Sequence, residues 1–462
     1  TFLHNVKAAS LKRIVVVAPT GVAAINAKGV TIHSFFQMPF GPILPNQIAQ
    51  TSNQQRKFSK TKIDIIKSLD LVIIDEISMV RADVLDGIDQ VLRRYKNKYK
   101  VFGGVQILMI GDLQQLAPVV KPNEWSLLQQ HYNTVYFFSA KAFQEAKVVA
   151  IELQHIYRQK NEDFIQILNE IRNDQLSESS AAILNERYHP SFSPHKDEGY
   201  ITLTTHNRRA SIINDSELNK LNTKNYFFEA EVSGKFNENA FPNDEKLALK
   251  VGAQVMFIKN DSSPEKRYYN GKIGVITDIS RENVTVQCSN EIDEIITEKE
   301  QWDTVNYSIN EETKELKEDI VGTFTQIPLS LAWAITIHKS QGLTFEKAII
   351  DAEASFAHGQ TYVALSRCTS LEGLVLKTPI TSSAIINDNT VRVFNKEVEE
   401  NLPDETILTS SEIQFQLNLI SELFDYQSFL YPITRLIDIF YKNSTSIKGN
   451  IIDYLQVIKD DG

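Results

Sequence analysis

The chain has 462 residues, and 42% of them are hydrophobic, which is enough to bury more than one core and predicts two to four domains. No apolar run approaches the roughly 18–20 residues that cross a bilayer, and no basic-then-apolar leader is present, so we expect a cytoplasmic location: a bacterial-type cytosol or nucleoid, or the nucleus or mitochondrion of a eukaryote. The net charge of −10 argues against a wholly basic DNA-binding domain, and Cys288 and Cys368 lack zinc-binding spacing.

The first 150 residues alternate apolar runs with helical stretches. The runs at 13–19, 71–75, 105–112 and 134–138 are predicted to be buried parallel strands, and 82–97 a helix. This alternation is typical of a doubly wound α/β domain. The Pro-, Gln- and Lys-containing stretch at 39–62 interrupts it and is predicted to be a small insert.

A second α/β region begins near residue 150, with predicted strands at 148–153 and 200–205 and a helix from Asn161. Between about 230 and 325 the pattern becomes β-like, and Asn270-Gly271 predicts a two-residue hairpin turn. We therefore expect a small antiparallel barrel inserted into the second α/β domain, whose strands resume at 326, 348–353 and 373–378.

The tail after about 385 is predicted to be helical. Thr409 and Glu412 resemble a capping box, and they precede Ile413, Leu417, Ile420 and Phe424 at helical spacing. Pro432 is expected to open a second helix and residues 449–459 to form a third.

The sharpest local signal is a pair of adjacent acids after an apolar strand, in LVIIDEIS at 71–78. Open α/β sheets bind ligands beyond the carboxyl ends of their strands, so Asp75 is suited to hold Mg²⁺ and Glu76 to orient and deprotonate an attacking water. The alternative interpretation is a strand end with two solvated acids.

Three further side chains fit phosphoryl transfer. Gln115 follows the next strand in GDLQQLAPV and is suited to sense a γ-phosphate, with a plain polar loop as the alternative. Arg158 and Arg367 lie in the second α/β region, and planar guanidinium groups stabilise charge on a transferring phosphoryl group. A single arginine more often serves on the surface or in an ion pair.

Several motifs occur in order over residues 15–367: VVVAPTGVAAINAKGVTIHSFF, LVIIDEIS, GDLQQLAPV, HIYRQ, LTTHNRRA, AITIHKSQGLTF and YVALSR. Together they resemble the petite-integration-frequency (Pif) helicases, relatives of RecD within superfamily 1, over about four-fifths of the chain. The segment RRYKNKYKVFGG favours Pif over RecD. The resemblance implies an α/β fold with two RecA-like parallel-sheet domains, at 1–150 and at 151–230 with 325–385, a small β barrel at 231–324, and a helical region at 386–462.

The resemblance also implies the function and the site. An ATP- and Mg²⁺-dependent helicase would move 5′-to-3′ on single-stranded DNA as a monomer, unwind forked or structured duplexes, and act in DNA repair, recombination, replication or telomere maintenance. By matching positions, Asp75 and Glu76 are the acids, Gln115 the γ-phosphate sensor, and Arg158 and Arg367 the arginine fingers. Gln341 and Gly342 belong to the segment that couples nucleotide to DNA. The positions that would face DNA are Pro19, Thr20, His33, Ser34, Phe35, Thr204, Asn207, His338 and Lys339. Hydroxyl groups among them would bind phosphates, and Phe35 or His33 would stack on bases. For Phe35 the alternative is core packing.

The sequence departs from the family in one respect, because it contains no G-x-x-x-x-G-K-[ST] motif. Residues 1–9 read as the helix that follows such a motif, so we expect the motif just upstream, with Thr1 as its last residue or the next. The chain alone would then bind ATP poorly. The alternatives are a single-stranded-DNA-binding module without turnover and a helicase-like scaffold that acts through its tail.

Overall fold

The computed structural model describes residues 12–39, 41–44, 58–153, 156–173, 175–195, 198–238, 241–261, 263, 265–288, 291–309, 316–351, 359–380, 388–424, 427–443 and 449–461. The first part of the chain forms a four-stranded parallel sheet in the order β2-β1-β3-β4. Every residue of β1 and β3 is buried, as their unbroken apolar runs predict. The strands are β1 (Ile14–Ala18), β2 (Val30–Thr31), β3 (Leu71–Ile74) and β4 (Gln106–Met109).

The helices of this part cover the sheet. Helix α4 is amphipathic and buries Leu85, Ile88 and Leu92 in the first hydrophobic core. The helices are α1 (Gly21–Asn26), α2 (Ile32–Phe35), α3 (Lys60–Ser68), α4 (Ala82–Tyr95), α5 (Pro122–Leu128) and α6 (Lys141–Glu145).

A separate four-stranded parallel sheet follows, in the order β16-β5-β17-β18. Asn161 caps its first helix, since its side chain accepts a hydrogen bond from the Phe164 amide. The strands are β5 (Ile201–Thr204), β16 (Ala334–Thr336), β17 (Ala348–Asp351) and β18 (Leu374–Leu376), and the helices are α7 (Glu162–Arg172), α8 (Glu178–Asn185), α9 (Asn207–Lys220) and α10 (Gln360–Ser366).

Antiparallel strands fill the chain between α9 and β16. One sheet has the order β12-β11-β10-β9-β15, a second β13-β14-β7, and a third pairs β6 with β8. Asn270-Gly271 does not form the predicted two-residue hairpin, because β9 and β10 are joined by residues 258–272 and the turn lies at the end of that loop. The strands are β6 (Asn225–Glu229), β7 (Glu231–Gly234), β8 (Lys246–Lys250), β9 (Gln254–Phe257), β10 (Ile273–Ile279), β11 (Asn283–Cys288), β12 (Ile295–Glu298), β13 (Glu300–Ile309), β14 (Leu316–Gln326) and β15 (Leu329–Leu331).

The C-terminal part is helical, as predicted, although two of its helices begin elsewhere than expected. The proposed capping pair lies inside α12, where the Asp404 carboxylate caps the first turn and the Thr409 hydroxyl donates to the Glu405 carbonyl. Pro432 lies within α13 rather than at its start. The helices are α11 (Asn389–Glu400), α12 (Glu405–Leu423), α13 (Gln427–Lys442) and α14 (Ile451–Asp461).

The chain divides into two compact units. One contains both parallel sheets and the antiparallel strands, together with the start of α11, where Val391 is buried in the first core and Phe394 stacks on Phe138 with ring centroids 4.4 Å apart. The other contains Val149–Leu153 and Lys396–Gly462. No helix within the described ranges has the length and apolar character that a membrane crossing requires.

Two predicted strands are wrong. Residues 134–138 contribute a single bridge, from Tyr136 to Arg81, and a 3₁₀ helix at Phe137–Ser139, because their aromatic rings pack among one another instead of joining the sheet. Residues 148–153 form no strand: Ile151 is 73% exposed and Leu153 is 87% exposed, so this apolar run has no neighbouring strand to cover it.

Candidate active site

The two acids of LVIIDEIS lie at the C-terminal end of β3, at the edge of the first sheet. The Asp75 amide donates to the Val17 carbonyl, and Asp75 Oδ1 accepts the Glu76 amide at 3.0 Å. Glu76 adopts a left-handed conformation with φ 53° and ψ 46°, which turns its side chain away from the strand direction. A strained non-glycine residue at a strand end is typical of functional sites.

Burial raises the pKa of Asp75 and also that of Glu76. For Glu76 the neighbouring Asp75 and Asp112 charges raise the pKa further, while Arg367 and the Gln341 amide act in the opposite direction. A carboxylate with a raised pKa is a stronger base than free glutamate. The environment of Glu76 therefore suits a general base.

Gln115 lies on the loop after β4, beside this pair. Its Nε2 donates to Asp112 Oδ2 at 3.2 Å, and its backbone amide donates to the Asp112 carbonyl. Asp112 thus fixes the orientation of the Gln115 side chain, which leaves Gln115 Oε1 facing the second sheet.

Gln341, from the loop after β16, connects the two sheets. Its Nε2 donates to Glu76 Oε2 at 2.9 Å and to Gln115 Oε1 at 3.4 Å. One amide group therefore contacts both the predicted base and the predicted γ-phosphate sensor. Gly342 follows with φ 79°, a left-handed turn that glycine adopts without strain.

Arg367 follows α10 and is buried, with 2% of its surface exposed. Its guanidinium group donates to the Val363 and Leu343 carbonyls and to Ser366 Oγ. Burial, together with the nearby Arg158 charge, lowers the pKa of Arg367 to about 10, while Glu76 and Asp112 stabilise its charge. Arg367 is thus anchored to its own helix and lies within electrostatic reach of the two acids.

The second arginine reaches the same helix end. Arg158 Nη1 donates to the Ser366 carbonyl at 3.3 Å, although its side chain is otherwise exposed. The next residue, Gln159, is buried, and its Nε2 donates to the Ser366 and Cys368 carbonyls at 3.0 Å each. Gln159 therefore fixes the segment that carries Arg158 beside Arg367.

The two sheets also meet through close packing. Gly359, at the N-terminus of α10, has φ 75°, and a Cβ atom there would lie 2.1 Å from the Gln115 carbonyl oxygen. Leu116 belongs to the core of the second sheet, where it packs in the cluster that contains Phe164 and Leu365. The loop after β4 thus contacts the second sheet through its backbone and through an apolar side chain.

The predicted DNA-facing residues of the first sheet occupy two short helix starts. Thr20 is exposed and caps α1, with its Oγ1 accepting the Ala23 amide, and Pro19 precedes it. Ser34 is exposed and His33 is partly buried on α2. Burial lowers the pKa of His33, and the nearby Arg81 charge lowers it further, against the opposing effect of Asp83.

Base stacking by Phe35 is contradicted by its burial. Phe35 is 2% exposed, lies in the first core and packs edge-on against Phe36, while Lys62 Nζ lies 3.5 Å from its ring centroid. Stacking on a base requires an exposed ring face. Core packing, the alternative given by the sequence, describes Phe35 in this structure.

The predicted DNA-facing residues of the second sheet differ in their exposure to solvent. Thr204 is fully buried at the end of β5 and its Oγ1 accepts the His206 amide, so its hydroxyl does not face solvent. Asn207 is exposed as the first residue of α9, and His338 and Lys339 are exposed on the loop after β16, with one residue between Lys339 and Gln341 in the chain. Thr1 and residues 40 and 45–57 of the predicted insert lie outside the described residues.

Sequence reasoning missed several contributors to this site. Asp112 orients Gln115, Gln159 orients Arg158, and Tyr362 lies electrostatically among Asp112 and the arginines. Asp112 had a usable signal, because it ends an apolar strand as Asp75 does. Gln159 and Tyr362 carry no such signal, since only tertiary packing brings them to the site.

Comparison with known proteins agrees with the motif pattern. Residues 1–182 match the family model described as PIF1-like helicase. The ATP-dependent DNA helicase Pif1 of Campylobacter jejuni is 32% identical over 376 residues, which cover 78% of this chain and 81% of that protein. The human ATP-dependent DNA helicase PIF1 is 31% identical, and the match covers 78% of this chain and 53% of the human protein.

Solved structures agree as well. Bacteroides Pif1 in complex with ADP-AlF4 is 41% identical with a TM-score of 0.80, and the match covers 86% of this chain and 90% of that one. The TM-score falls to 0.60, at the same identity and coverage, for Bacteroides Pif1 bound to ssDNA. On sequence identity and fold together, as the order of its motifs predicted, the chain belongs to the PIF1-like helicase family.

Proposed function

We propose that this chain is the motor of an ATP-dependent DNA helicase that moves along single-stranded DNA. The observation that carries the proposal is the contact of Gln341 with both Glu76 and Gln115 across the two parallel sheets. His338 and Lys339, which are proposed to face DNA, precede Gln341 by three and two residues in the chain, respectively. If DNA binding shifts this loop, it therefore also moves the Gln341 amide, which contacts the proposed general base Glu76.

The nucleotide is proposed to bind between the sheets. Glu76 would orient and deprotonate the attacking water, and Gln115 would contact the γ-phosphate, while Arg158 and Arg367 would stabilise charge on the transferring group. The anchoring of Arg367 to α10 carbonyls supports this role, because a buried and fixed guanidinium loses little entropy when it meets an anion.

Mg²⁺ fits the end of β3. The ion is commonly held in proteins by one or two carboxylates plus waters and substrate phosphates, so a cage of protein ligands is not required. Asp75 uses Oδ1 for the Glu76 amide, and its Oδ2 accepts no hydrogen bond from the described residues. Bound there, Mg²⁺ would neutralise charge on the phosphates, and Asp75 is the residue that would hold it.

DNA is proposed to run along the exposed helix starts and loops at one edge of both sheets. Thr20, Ser34 and His33 would contact it from the first sheet, and Asn207 with Lys339 from the second. Hydroxyl, amide and backbone N–H groups bind phosphates without reading sequence, as a translocating motor requires. Bacteroides Pif1 has been solved with ssDNA, which supports this partner.

Finer features are proposed from the family resemblance. These are 5′-to-3′ movement, unwinding of forked or structured duplexes in DNA repair, recombination, replication or telomere maintenance, closure of the antiparallel strands into a small barrel, and action as a monomer. Another structure in the family describes forked-duplex unwinding by two coordinating Pif1 helicases. Unwinding rates that rise linearly with protein concentration would support the monomer, and a quadratic rise would contradict it.

Glu76→Gln tests the catalytic proposal. Turnover is measured on a chain that carries a G-x-x-x-x-G-K-[ST] motif ahead of residue 1, and ssDNA affinity on the same protein. We expect DNA-stimulated ATP hydrolysis to collapse while ATP binding and ssDNA affinity persist, because the change keeps the shape of the side chain and removes the base. The matched control is Glu282→Gln, the same change at an exposed turn. Near wild-type turnover in Glu76→Gln would refute the assigned base.

The same measurement separates the motor from a binding module without turnover. The second candidate is that binding module. It predicts ssDNA binding but no ATP hydrolysis, even when the motif is supplied. It gives no reason for the contacts that join Glu76, Gln115 and Gln341.

A further inference from the structure

Arg81 forms a network that joins the catalytic strand to the segment around residues 41–43. Its Nε and Nη2 donate to the two carboxylate oxygens of Asp83 at 2.8 and 2.7 Å, a two-point ion pair at the start of α4. Nη2 also donates to the Gly41 carbonyl at 2.7 Å, and Nη1 lies 3.3 Å from Glu124 of α5. Asp83 Oδ2 in turn accepts the Ile43 amide at 2.8 Å.

The pair is shielded from water. The Arg81 and Asp83 side chains are 13% and 1% exposed, so their interaction is weakly screened. Its geometry pairs both carboxylate oxygens with two guanidinium N–H groups. The Gly41 carbonyl and the Ile43 amide are bound by opposite members of one ion pair. This fixes the backbone of the 41–43 segment against α4.

Apolar packing extends the same contact. A Cβ atom on Gly87 of α4 would lie within 3.3 Å of the Met38 and Ile43 side chains, so both already press against this helix. The Met38 amide donates to the His33 carbonyl. Residues 33–39 and 41–43, called the 33–43 segment below, are therefore attached to α4 at three points: at Gly41, at Ile43 and through Met38.

The opposite end of the network is the catalytic strand. Only the 3₁₀ turn Ile77–Met79 and Val80 separate Glu76 from Arg81 in the chain. Ile77 and Val80 are buried in the first core, so this link is rigid. The distance from Glu76 to the 33–43 segment is thus fixed by tightly packed residues of the first core.

We infer that Arg81 is a positioning residue that holds the 33–43 segment, with His33 and Ser34, in the orientation that binds single-stranded DNA. This inference rests on the proposed function. Without Arg81 the Gly41 carbonyl loses its partner, and Asp83, which accepts the Ile43 amide, is no longer held in place, so the segment is free to move away from α4. The proposed DNA contacts would then form only after the segment is reordered.

The test is ssDNA affinity of the chain as it stands, measured by fluorescence anisotropy with a labelled oligo-dT strand. Arg81→Ala and Asp83→Asn are expected to weaken binding roughly tenfold, the scale of one lost charge-assisted hydrogen bond. The matched control is Arg93→Ala, which breaks ion pairs to Asp89 and Glu145 at the other end of α4. Arg93→Ala should leave the affinity within about twofold of wild type.

The pH profile separates positioning from a general loss of stability. Within the described residues, the charged groups placed around His33 include Arg81 and Asp83, with Glu124 bound to Arg81 and Lys62 over the neighbouring Phe35 ring. In Arg81→Ala the Asp83 charge is no longer opposed, so His33 should gain its proton at higher pH. When the pH is lowered from 8 to 6, the ssDNA affinity of the Arg81→Ala variant should therefore rise more steeply than that of the wild-type chain. Arg81→Lys keeps the charge but not the two-point geometry, so affinity should fall while the wild-type pH profile returns.

Each outcome decides a separate question. If the wild-type chain does not bind oligo-dT, the proposed function fails. If it binds and Arg81→Ala binds equally well below its unfolding temperature, the positioning role is refuted. Equal losses in Arg81→Ala and Arg93→Ala would refute it too, because they would mean that any ion pair of α4 has the same effect.

Discussion

Gly359 offers the most direct perturbation of the contact between the two parallel sheets. In Gly359→Ala the added Cβ would lie 2.1 Å from the Gln115 carbonyl oxygen and 2.7 Å from that of Gln114. Both neighbours are backbone atoms, so they cannot move aside by a rotamer change. The loop after β4 and the start of α10 must separate by roughly 1 Å to restore ordinary van der Waals contact.

Two energies add in this variant. The left-handed conformation at φ 75° costs an alanine about 1–2 kcal/mol, and overpacking against fixed backbone costs about 1–3 kcal/mol. Gly252→Ala is the matched control, since Gly252 has φ 88° and its Cβ would meet only Leu221 Cδ2, at 3.6 Å. Because Gly252→Ala has only the conformational cost, Gly359→Ala should lower the free energy of unfolding by about 1–3 kcal/mol more than Gly252→Ala does.

Urea denaturation of the two variants and the wild-type chain measures this difference. Gly359→Ala should unfold at lower urea than Gly252→Ala, with unfolding of the two parallel-sheet regions followed by tryptophan fluorescence. In a chain that carries the phosphate-binding motif, Gly359→Ala should also reduce DNA-stimulated ATP turnover, because Gln115 moves relative to α10. Equal destabilisation by the two substitutions would refute the close contact at Gly359.

Three further predictions concern single side chains. Arg367→Ala should lower DNA-stimulated turnover by about 10³–10⁵ in a chain with the phosphate-binding motif, whereas exposed Arg281→Ala should not; a steady-state ATPase assay decides. Lys339→Ala should weaken oligo-dT binding and flatten its salt dependence by about one unit of slope, and an unchanged slope in an anisotropy titration would remove Lys339 from the DNA path. Burial lowers the pKa of Lys62 to about 7, from 10.5 for free lysine. Between pH 7 and pH 10.5 the unfolded chain therefore binds more protons at this residue than the folded chain does, so the free energy of unfolding rises with pH. Lys62→Met should remove that rise, and parallel pH-dependent unfolding curves for the two proteins would contradict the shift.

Local sequence predicted the strands correctly where an unbroken apolar run had to be buried on both faces of a sheet. The strands around Val16, Ile73 and Leu203 are continuous buried runs, and such runs leave few alternatives to a covered parallel strand. Residues 148–153 show the limit of the same reasoning. Their apolar run looks like a strand, but pairing depends on a neighbouring edge that local sequence does not specify.

The candidate site shows the same division. Asp75, Glu76 and Gln115 follow strand ends, and parallel strands bring their ends to one edge, so their proximity followed from topology. The contact of Gln341 with Glu76 spans 265 positions and depends on how the two sheets pack. Phe35 was ambiguous because an aromatic residue in a short helix serves equally well in a core or on a surface, and only its burial in the folded chain decides.

Leu116 has a consequence for how this chain can be divided and recombined. It lies on a loop of the first sheet, yet it is 2% exposed within the core of the second. A second half produced alone would carry a pocket shaped for a leucine that is no longer there, at a cost of about 2–5 kcal/mol by analogy with a Leu→Ala change. A chimera that joins the halves of two relatives would meet the same mismatch. The residue at 116 must therefore be inherited with the pocket that receives it, even though about fifty residues separate Leu116 from Phe164, the next fully buried residue of that core along the chain.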